Sequence, residues 1–191
     1  MFIRTYRLLL RPPWPEDAAA ITACLADGVV ARNTAQVPHP YGLEDAKAFI
    51  DRCEAAEPQP TFVILGREGD DAPLAGCIGL FRSPEAGAEA GAWELGYWIG
   101  KDWWGRGYAT EAAKAVLELA FLGLRLPRVV AGHFIDNPAS GRVLEKLGFT
   151  ETGISKRHCL ARNCDVDCRN VALTREAWLA HRAGQVEMHA A

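Results

Sequence analysis

The apolar positions of this 191-residue chain change period several times, and each change marks a predicted element. Residues Thr5–Pro12 alternate well enough for an edge strand, which the Pro12-Pro13 pair stops because proline cannot donate to a ladder. Pro15 at a first helical position, with Glu16 and Asp17 in the first turn, predicts a helix reaching about Asp27. Pro38, Pro40 and Gly42 then rule out regular structure. Glu44 and Asp45 open a second helix, whose Ala46, Phe49, Ile50 and Cys53 recur at helical spacing and which ends before Pro58. Three strand-like runs follow at 62–66, 74–81 and 93–100. Their links, REGDDAP and RSPEAGAEAG, carry the Gly, Pro and acidic residues of hairpin loops, so the three strands are expected to pair antiparallel.

Helical spacing returns over 107–121. Ala109, Ala112, Ala113, Val116, Leu117, Ala120 and Phe121 form one apolar stripe, with Glu111, Lys114 and Glu118 expected toward solvent and Gly123 as the stop. Residues 128–135 read as a buried strand. Asn137 as N-cap and Pro138 at the first helical position predict a short helix to Leu147, closed by Gly148. Strands at 152–160 and 166–173 should form a hairpin across ARNC, and Thr174 can cap a terminal helical turn through Trp178. The order β-α-α-β-β-β-α-β-α-β-β lacks regular βαβ alternation, which predicts α+β architecture with a largely antiparallel sheet. The helix between 93–100 and 128–135 is long enough for a parallel, right-handed crossover. No repeat or linker interrupts the chain, so one domain is expected over 1–191.

Composition narrows the partners. Apolar residues at 49% and charged residues at 24% suit a globular chain, and a net charge of −3 argues against disorder. A pI near 6.0 provides no global basic field for nucleic acid or an anionic membrane, so neither is an expected partner. The apolar run Leu8–Leu10 is too short for a signal-peptide core and no stretch reaches membrane-span length, giving an expectation of a cytoplasmic protein. Cysteines at 24, 53, 77, 159, 164 and 168 are expected to be reduced. Cys159, Cys164 and Cys168 lie beside His158, but they form no C-x-x-C pair, and no metal is expected.

The strongest chemical signal is Trp103-Trp104-Gly105-Arg106-Gly107-Tyr108-Ala109-Thr110-Glu111, between a strand and the long helix. Glycines there let backbone approach a ligand closely, and the helix start offers unpaired N–H groups and partial positive charge. Pyrophosphate suits such a turn, with Arg106 able to add a charged hydrogen bond. A glycine-rich helix start without ligand is the plain alternative. Dinucleotide binding is another, but the third glycine of its fingerprint falls at Thr110, Asp136 lies too far on for a ribose acid, and no further βαβ unit follows.

At this turn the chain resembles the GNAT N-acetyltransferases, particularly their RimJ/RimL-like branch. WELGYWIGKDWWGRGYATEAAKAVLELAF looks like that branch's central cofactor segment, and NPASGRVLEKLGF like its second one. RPPWPEDAAAI, VPHPYGLEDAKAFI and LTREAW resemble its opening, substrate-side and closing stretches, in the same order. The resemblance implies a GNAT-type mixed, largely antiparallel sheet of about seven strands flanked by about four helices, with two splayed parallel central strands. It further implies acetyl-CoA as cosubstrate, with pantetheine between strands 93–100 and 128–135 against exposed backbone of Tyr97, Trp98 and Ile99. Pyrophosphate would then sit on the amides of Gly105, Arg106, Gly107, Tyr108, Ala109 and Thr110. Where the superfamily often opens the turn with Gln or Arg, this chain has Trp104, a further expected cofactor contact, which leaves the amides as the main donors. Homodimers occur in this family, so a second copy is an implied partner.

Acetyl transfer needs a neutral amine, and a protein α-amine, titrating near about 7.7–8.0 against about 10.4 for lysine, is the easier acceptor. Glu94, in the otherwise apolar WELGYWIG strand, is the candidate general base, with burial expected to raise its pKa; an outward-facing strand residue is the plain alternative. Backbone N–H groups of Tyr97 to Ile99 are candidate oxyanion donors. Many members protonate the departing thiolate with a tyrosine, for which this chain has Leu144; Ser140 is the nearest substitute acid, and Asn137 a further cofactor contact or simply a helix cap. Acceptor walls are expected from 28–41 and the hairpin 154–168, with Arg32, Asn33, His39 and Tyr41 as candidate substrate contacts. His133 reads as a core histidine. A protein N-terminal amine or a small amine fits as acceptor; a non-catalytic acyl-CoA-binding module is the competing reading, and a dinucleotide-dependent oxidoreductase the weaker one.

Overall fold

The computed structural model describes residues 1–54, 60–67, 72–83 and 92–190, with side chains through 184. The expected helix end before Pro58 and most of the two expected hairpin loops lie outside the described residues. Eight strands form one sheet in the order β1-β2-β3-β4-β5-β6-β8-β7. They are β1 (Ile3–Arg4), β2 (Leu8–Arg11), β3 (Thr61–Gly66), β4 (Leu74–Arg82), β5 (Trp93–Ile99), β6 (Arg128–Phe134), β7 (Thr150–Cys159) and β8 (Cys164–Thr174). The helices are α1 (Ala18–Leu25), α2 (Leu43–Glu54), α3 (Tyr108–Glu118), α4 (Pro138–Lys146) and α5 (Arg175–Ala190). Every described strand pair is antiparallel except β5–β6.

Three expectations change. The opening strand is two, because Thr5 turns the chain: its Oγ1 accepts from Leu8 N at 3.0 Å while its N–H donates to Leu8 O at 2.9 Å. The edge is therefore β1, and β2 lies inside the sheet. The first helix opens with a 3₁₀ turn over Pro15–Asp17, since Asp17 accepts from Trp14 N at 2.7 Å and is clamped by the Arg11 guanidinium at 2.7 and 2.8 Å. At the far end the helix is long: α5 continues to Ala190, anchored by Trp178 packing on Phe121 with ring centroids 5.2 Å apart.

The run Phe62-Val63-Ile64-Leu65 in β3 shows how the layers arise. Phe62 and Ile64 join the core under α3 with Ala113, Val116 and Leu117, while Val63 and Leu65 join Ile21 of α1 and Ile50 of α2. A strand covered on both faces reads as a continuous apolar run rather than an alternating one. The sheet is thus sandwiched, with α1 and α2 on one face and α3 and α4 on the other. No described helix is long and apolar enough to cross a membrane.

Candidate active site

The turn after β5 has the backbone its sequence predicts. Gly105 and Gly107 sit at φ +75° and +78°, and Gly107 is the N-cap of α3. A Cβ on Gly105 would meet nothing within 4 Å, and on Gly107 only an Arg7 nitrogen at 3.5 Å, so left-handed φ, not crowding within the protein, calls for glycine. The first intrahelical bond at this end comes from Glu111 N to Gly107 O at 3.1 Å, so the amides of Gly107, Tyr108, Ala109 and Thr110 have no partner within the helix. Gly105, Arg106 and Gly107 are exposed, and the Arg106 guanidinium lies over the Trp103 ring at 4.8 Å. Tyr108 contributes only its amide, because its side chain is buried and stacked on Trp103.

Glu111, expected toward solvent, is turned inward. Its carboxylate accepts from Thr5 Oγ1 at 2.6 Å, Arg7 N at 2.8 Å and Arg7 Nε at 2.8 Å. Arg7 also donates to the carbonyl of Arg106 at 2.8 Å, so the β1–β2 turn holds the glycine turn in place. These hydrogen bonds and the Arg7 charge outweigh the desolvation of burial and hold the Glu111 carboxyl below its ordinary value.

Next to this turn the sheet opens. β5 and β6 pair only at Glu94↔Val130. Gly100 N donates to Ala75 O at 2.9 Å and Ser83 N to Ala92 O at 2.8 Å, so even-numbered residues of β5 spend their backbone groups on β4. The odd-numbered Tyr97 and Ile99 therefore turn theirs toward the gap. Trp98, expected to contribute there, does not: its backbone faces β4 and its side chain packs on the α1/α2 core. Trp104 has a different part from the one expected. Its indole N–H donates to Ile99 O at 2.7 Å, closing one acceptor at the mouth of the gap.

Glu94 stands where the two strands still touch and is 3% exposed, so it is not the outward-facing residue of the plain alternative. Its carboxylate is ion-paired with Arg157 of β7, while Oε2 is buried without a hydrogen-bond partner. The arginine reaches across the sheet over Gly132 of β6, where a Cβ would stand 3.2 Å from its Cζ and 2.9 Å from Cys168 Sγ. Burial is thus joined by a matching charge that the sequence reading missed; a pair 63 positions apart leaves no periodic trace.

On the opposite face, Tyr97 of β5 and Ser140 of α4 meet, with Oη to Oγ at 2.9 Å and Oη to the serine carbonyl at 3.3 Å. Burial pushes the Tyr97 phenol up to about 12 despite the Ser140 hydrogen bond. Asn137 caps α4, accepting from Ser140 N at 3.3 Å. Leu144 is 1% exposed, within the core, so no hydroxyl comes from that position. His133 keeps to its own strand, its Nδ1 lying 3.0 Å from Phe134 O.

The acceptor-side candidates divide. A cleft of about 310 Å³ is lined by Asp27, Arg32 and His39 of the α1–α2 connection and by Ala161 and Arg162 of the β7–β8 turn. Arg162 ties the two walls together, bonding Asp136 at 2.7 Å and Arg32 O at 2.7 Å. Asn33 and Tyr41 do not line it. Asn33 Nδ2 donates to Val29 O at 3.1 Å, and Tyr41 is buried in the α1/α2 core, its phenol pushed up to about 12 by desolvation. Cys159 donates to Thr34 O at 3.3 Å and Cys168 is buried beside it, so both serve packing; no metal-holding cluster occurs among the described residues.

The parallel strand pair thus opens toward a helix start whose first amides have no intrahelical partner. Residues 7–150 match the acetyltransferase (GNAT) domain family. The chain is 32% identical over 166 residues to the uncharacterized N-acetyltransferase YoaA of Bacillus subtilis, covering 82% of this chain and 86% of that one. It is 33% identical over 88 residues to the [ribosomal protein uS5]-alanine N-acetyltransferase of Escherichia coli, a match covering 46% of this chain and 45% of that one. A crystal structure of a GNAT-family acetyltransferase from Bacillus anthracis superposes with a TM-score of 0.76 at 26% identity, covering 92% of this chain and 99% of that one. The chain belongs to the GNAT superfamily and is an N-acetyltransferase, a family that uses acetyl-CoA and acts on amines.

Proposed function

We propose that this chain moves the acetyl group of acetyl-CoA onto a primary amine by direct attack in a ternary complex, as a member of the RimJ/RimL-like branch. The observation that carries the reading is the single register at which β5 and β6 pair, Glu94↔Val130. Beyond it the edge of β5 is open from Tyr97 to the glycine turn. A pantetheine arm laid along that edge connects pyrophosphate at Gly105–Thr110 with a thioester close to Glu94. Tyr97 and Ile99 N–H groups then face the developing oxyanion. Arg106 adds charge at the phosphate end.

Glu94 receives the amine. Its unpartnered Oε2 is an acceptor for an amine N–H, directly or through one water, and Arg157 balances the carboxylate charge. An α-amine suits a base so arranged better than a lysine, because a larger fraction is already neutral at pH 7. The uS5-alanine relative acts on such an amine by its name, which brings peptide N-termini with small first residues in as candidate acceptors beside small-molecule amines. Arg32 and His39 border the cleft on the acceptor side. Release of free thiol from acetyl-CoA, scored against alanine- and serine-initiated peptides, free amino acids and polyamines, tests this reading. Turnover with none of these amines while acetyl-CoA binds would overturn it.

A further inference from the structure

The group that manages the departing thiolate is the open part of the reaction, since the helix position often given to tyrosine holds buried Leu144. The geometry points to a hydroxyl pair assembled from two elements instead: Ser140 on α4 as the group that touches the sulfur, and Tyr97 on β5 as a positioning residue that aims it. This rests on the proposed acetyl-CoA site.

The two side chains meet across the opening between β5 and α4, with 2.9 Å between Tyr97 Oη and Ser140 Oγ. Tyr97 has one hydroxyl proton, and the atoms within reach of it on Ser140 are Oγ and the carbonyl at 3.3 Å. Either hydroxyl of the pair is placed to donate; in the proposed arrangement the phenol donates to Oγ, which turns the serine O–H away from the tyrosine. In the proposed complex that O–H is directed at the sulfur of a pantetheine arm laid along the β5 edge. Asn137 fixes the turn that carries Ser140, accepting its backbone N–H at 3.3 Å. The serine is therefore held from both sides, through its backbone and through its hydroxyl.

The pair aims a hydrogen bond and does not relay a proton. Burial leaves the Tyr97 phenol at about 12, while a free thiol titrates near about 8.5. A proton moved from Tyr97 through Ser140 to sulfur would leave the far stronger base behind, buried. The balanced step is simpler. The amine nitrogen attacks the thioester carbonyl carbon, the C–S bond breaks with its electron pair on sulfur, and the ammonium proton leaves on the Glu94 face. The sulfur departs as a thiolate accepting the Ser140 O–H hydrogen bond, and solvent protonates it after release.

Bound CoA itself reports this, with no acceptor needed. Its thiol is titrated by the ultraviolet absorbance of the thiolate in the wild type, Tyr97→Phe, Ser140→Ala and the double variant, after calorimetry has established saturation. A charged hydrogen bond to the thiolate lowers its pKa, so each single variant should raise the bound thiol by about one pH unit. The double variant should add nothing further, because the tyrosine acts only through the serine. Ser140→Thr, which keeps the hydroxyl, should restore most of the effect. An unchanged thiol titration in Tyr97→Phe, with affinity and melting temperature also unchanged, removes Tyr97 from this part. A Tyr97→Phe effect that persists in full on the Ser140→Ala background overturns the relationship between the two. Failure of CoA to bind the wild type overturns the cofactor site itself, and the calorimetry separates that outcome from the others.

Discussion

At the scale of single residues, Glu94 carries both the proposed proton transfer and a structural burden. Glu94→Gln should lower kcat at neutral pH by about 10²-fold or more while acetyl-CoA affinity holds, as loss of a general base predicts. It should also lower the melting temperature, because Arg157 then lies buried against a neutral amide; removing one member of a buried pair costs about 3–5 kcal/mol. The pH–rate profile, taken well below the new melting point, separates the two effects, and an unchanged profile removes Glu94 from proton transfer. Gly107 makes a second case. Its φ of +78° disfavours any Cβ, most of all a branched one, so Gly107→Val should tilt the amides of the α3 start and weaken acetyl-CoA binding in calorimetry. Asn tolerates this region better, and Gly107→Asn should lose less. Equal affinity for all three would detach the turn from the phosphate. Both sites were legible as residues of interest: one acid in an apolar strand, two glycines at a helix start. Their surroundings were not. Arg157 and Gly132 carry no local pattern, and the contact depends on strand order, which periodicity does not encode.

Among elements, the hold of the β1–β2 turn on α3 is the clearest example of tertiary structure overriding a correct local reading. Glu111 occupies the polar side of an amphipathic stripe, and nothing within the helix distinguishes it from Lys114 or Glu118. What turns it inward is a partner about a hundred positions earlier, Arg7, beside Thr5. The folded carboxyl lies below the ordinary value of 4.5, so the unfolded chain binds its proton first as pH falls. Its stabilisation is complete above that ordinary value and is lost as pH drops through the lower, folded one. Glu111→Gln should therefore unfold at lower urea concentration than wild type near neutrality, with the difference shrinking in acid below about pH 4.5. A gap that stays constant across that range would mean the charge on Glu111 contributes nothing. Element identities were otherwise readable: β3 through β8 and α2 through α4 fall where period and capping residues put them. Two boundaries were not. The turn at Thr5 depends on side-chain bonds to the backbone, and α5 extends past Trp178 because that residue finds Phe121 across the core.

Taken whole, the molecule is divided by its own site. Strands β1–β5 form one continuous ladder and β6, β8 and β7 another, while the two are sewn together in the sheet at one register. Packing of α3 and α4 bridges the rest. Such a seam is where partial opening costs least, since few backbone bonds must break. On the proposed reading, acyl-CoA lying along Tyr97 and Ile99 acts as a borrowed strand, supplying from outside the rungs that this sheet leaves out. Amide exchange at those two positions should slow sharply when CoA is added, while the ladders on either side change little. Thermal stability should climb with ligand, by about 2.7 kcal/mol at a hundredfold excess over Kd. On that reading, each catalytic cycle is also a cycle of mending and reopening one seam.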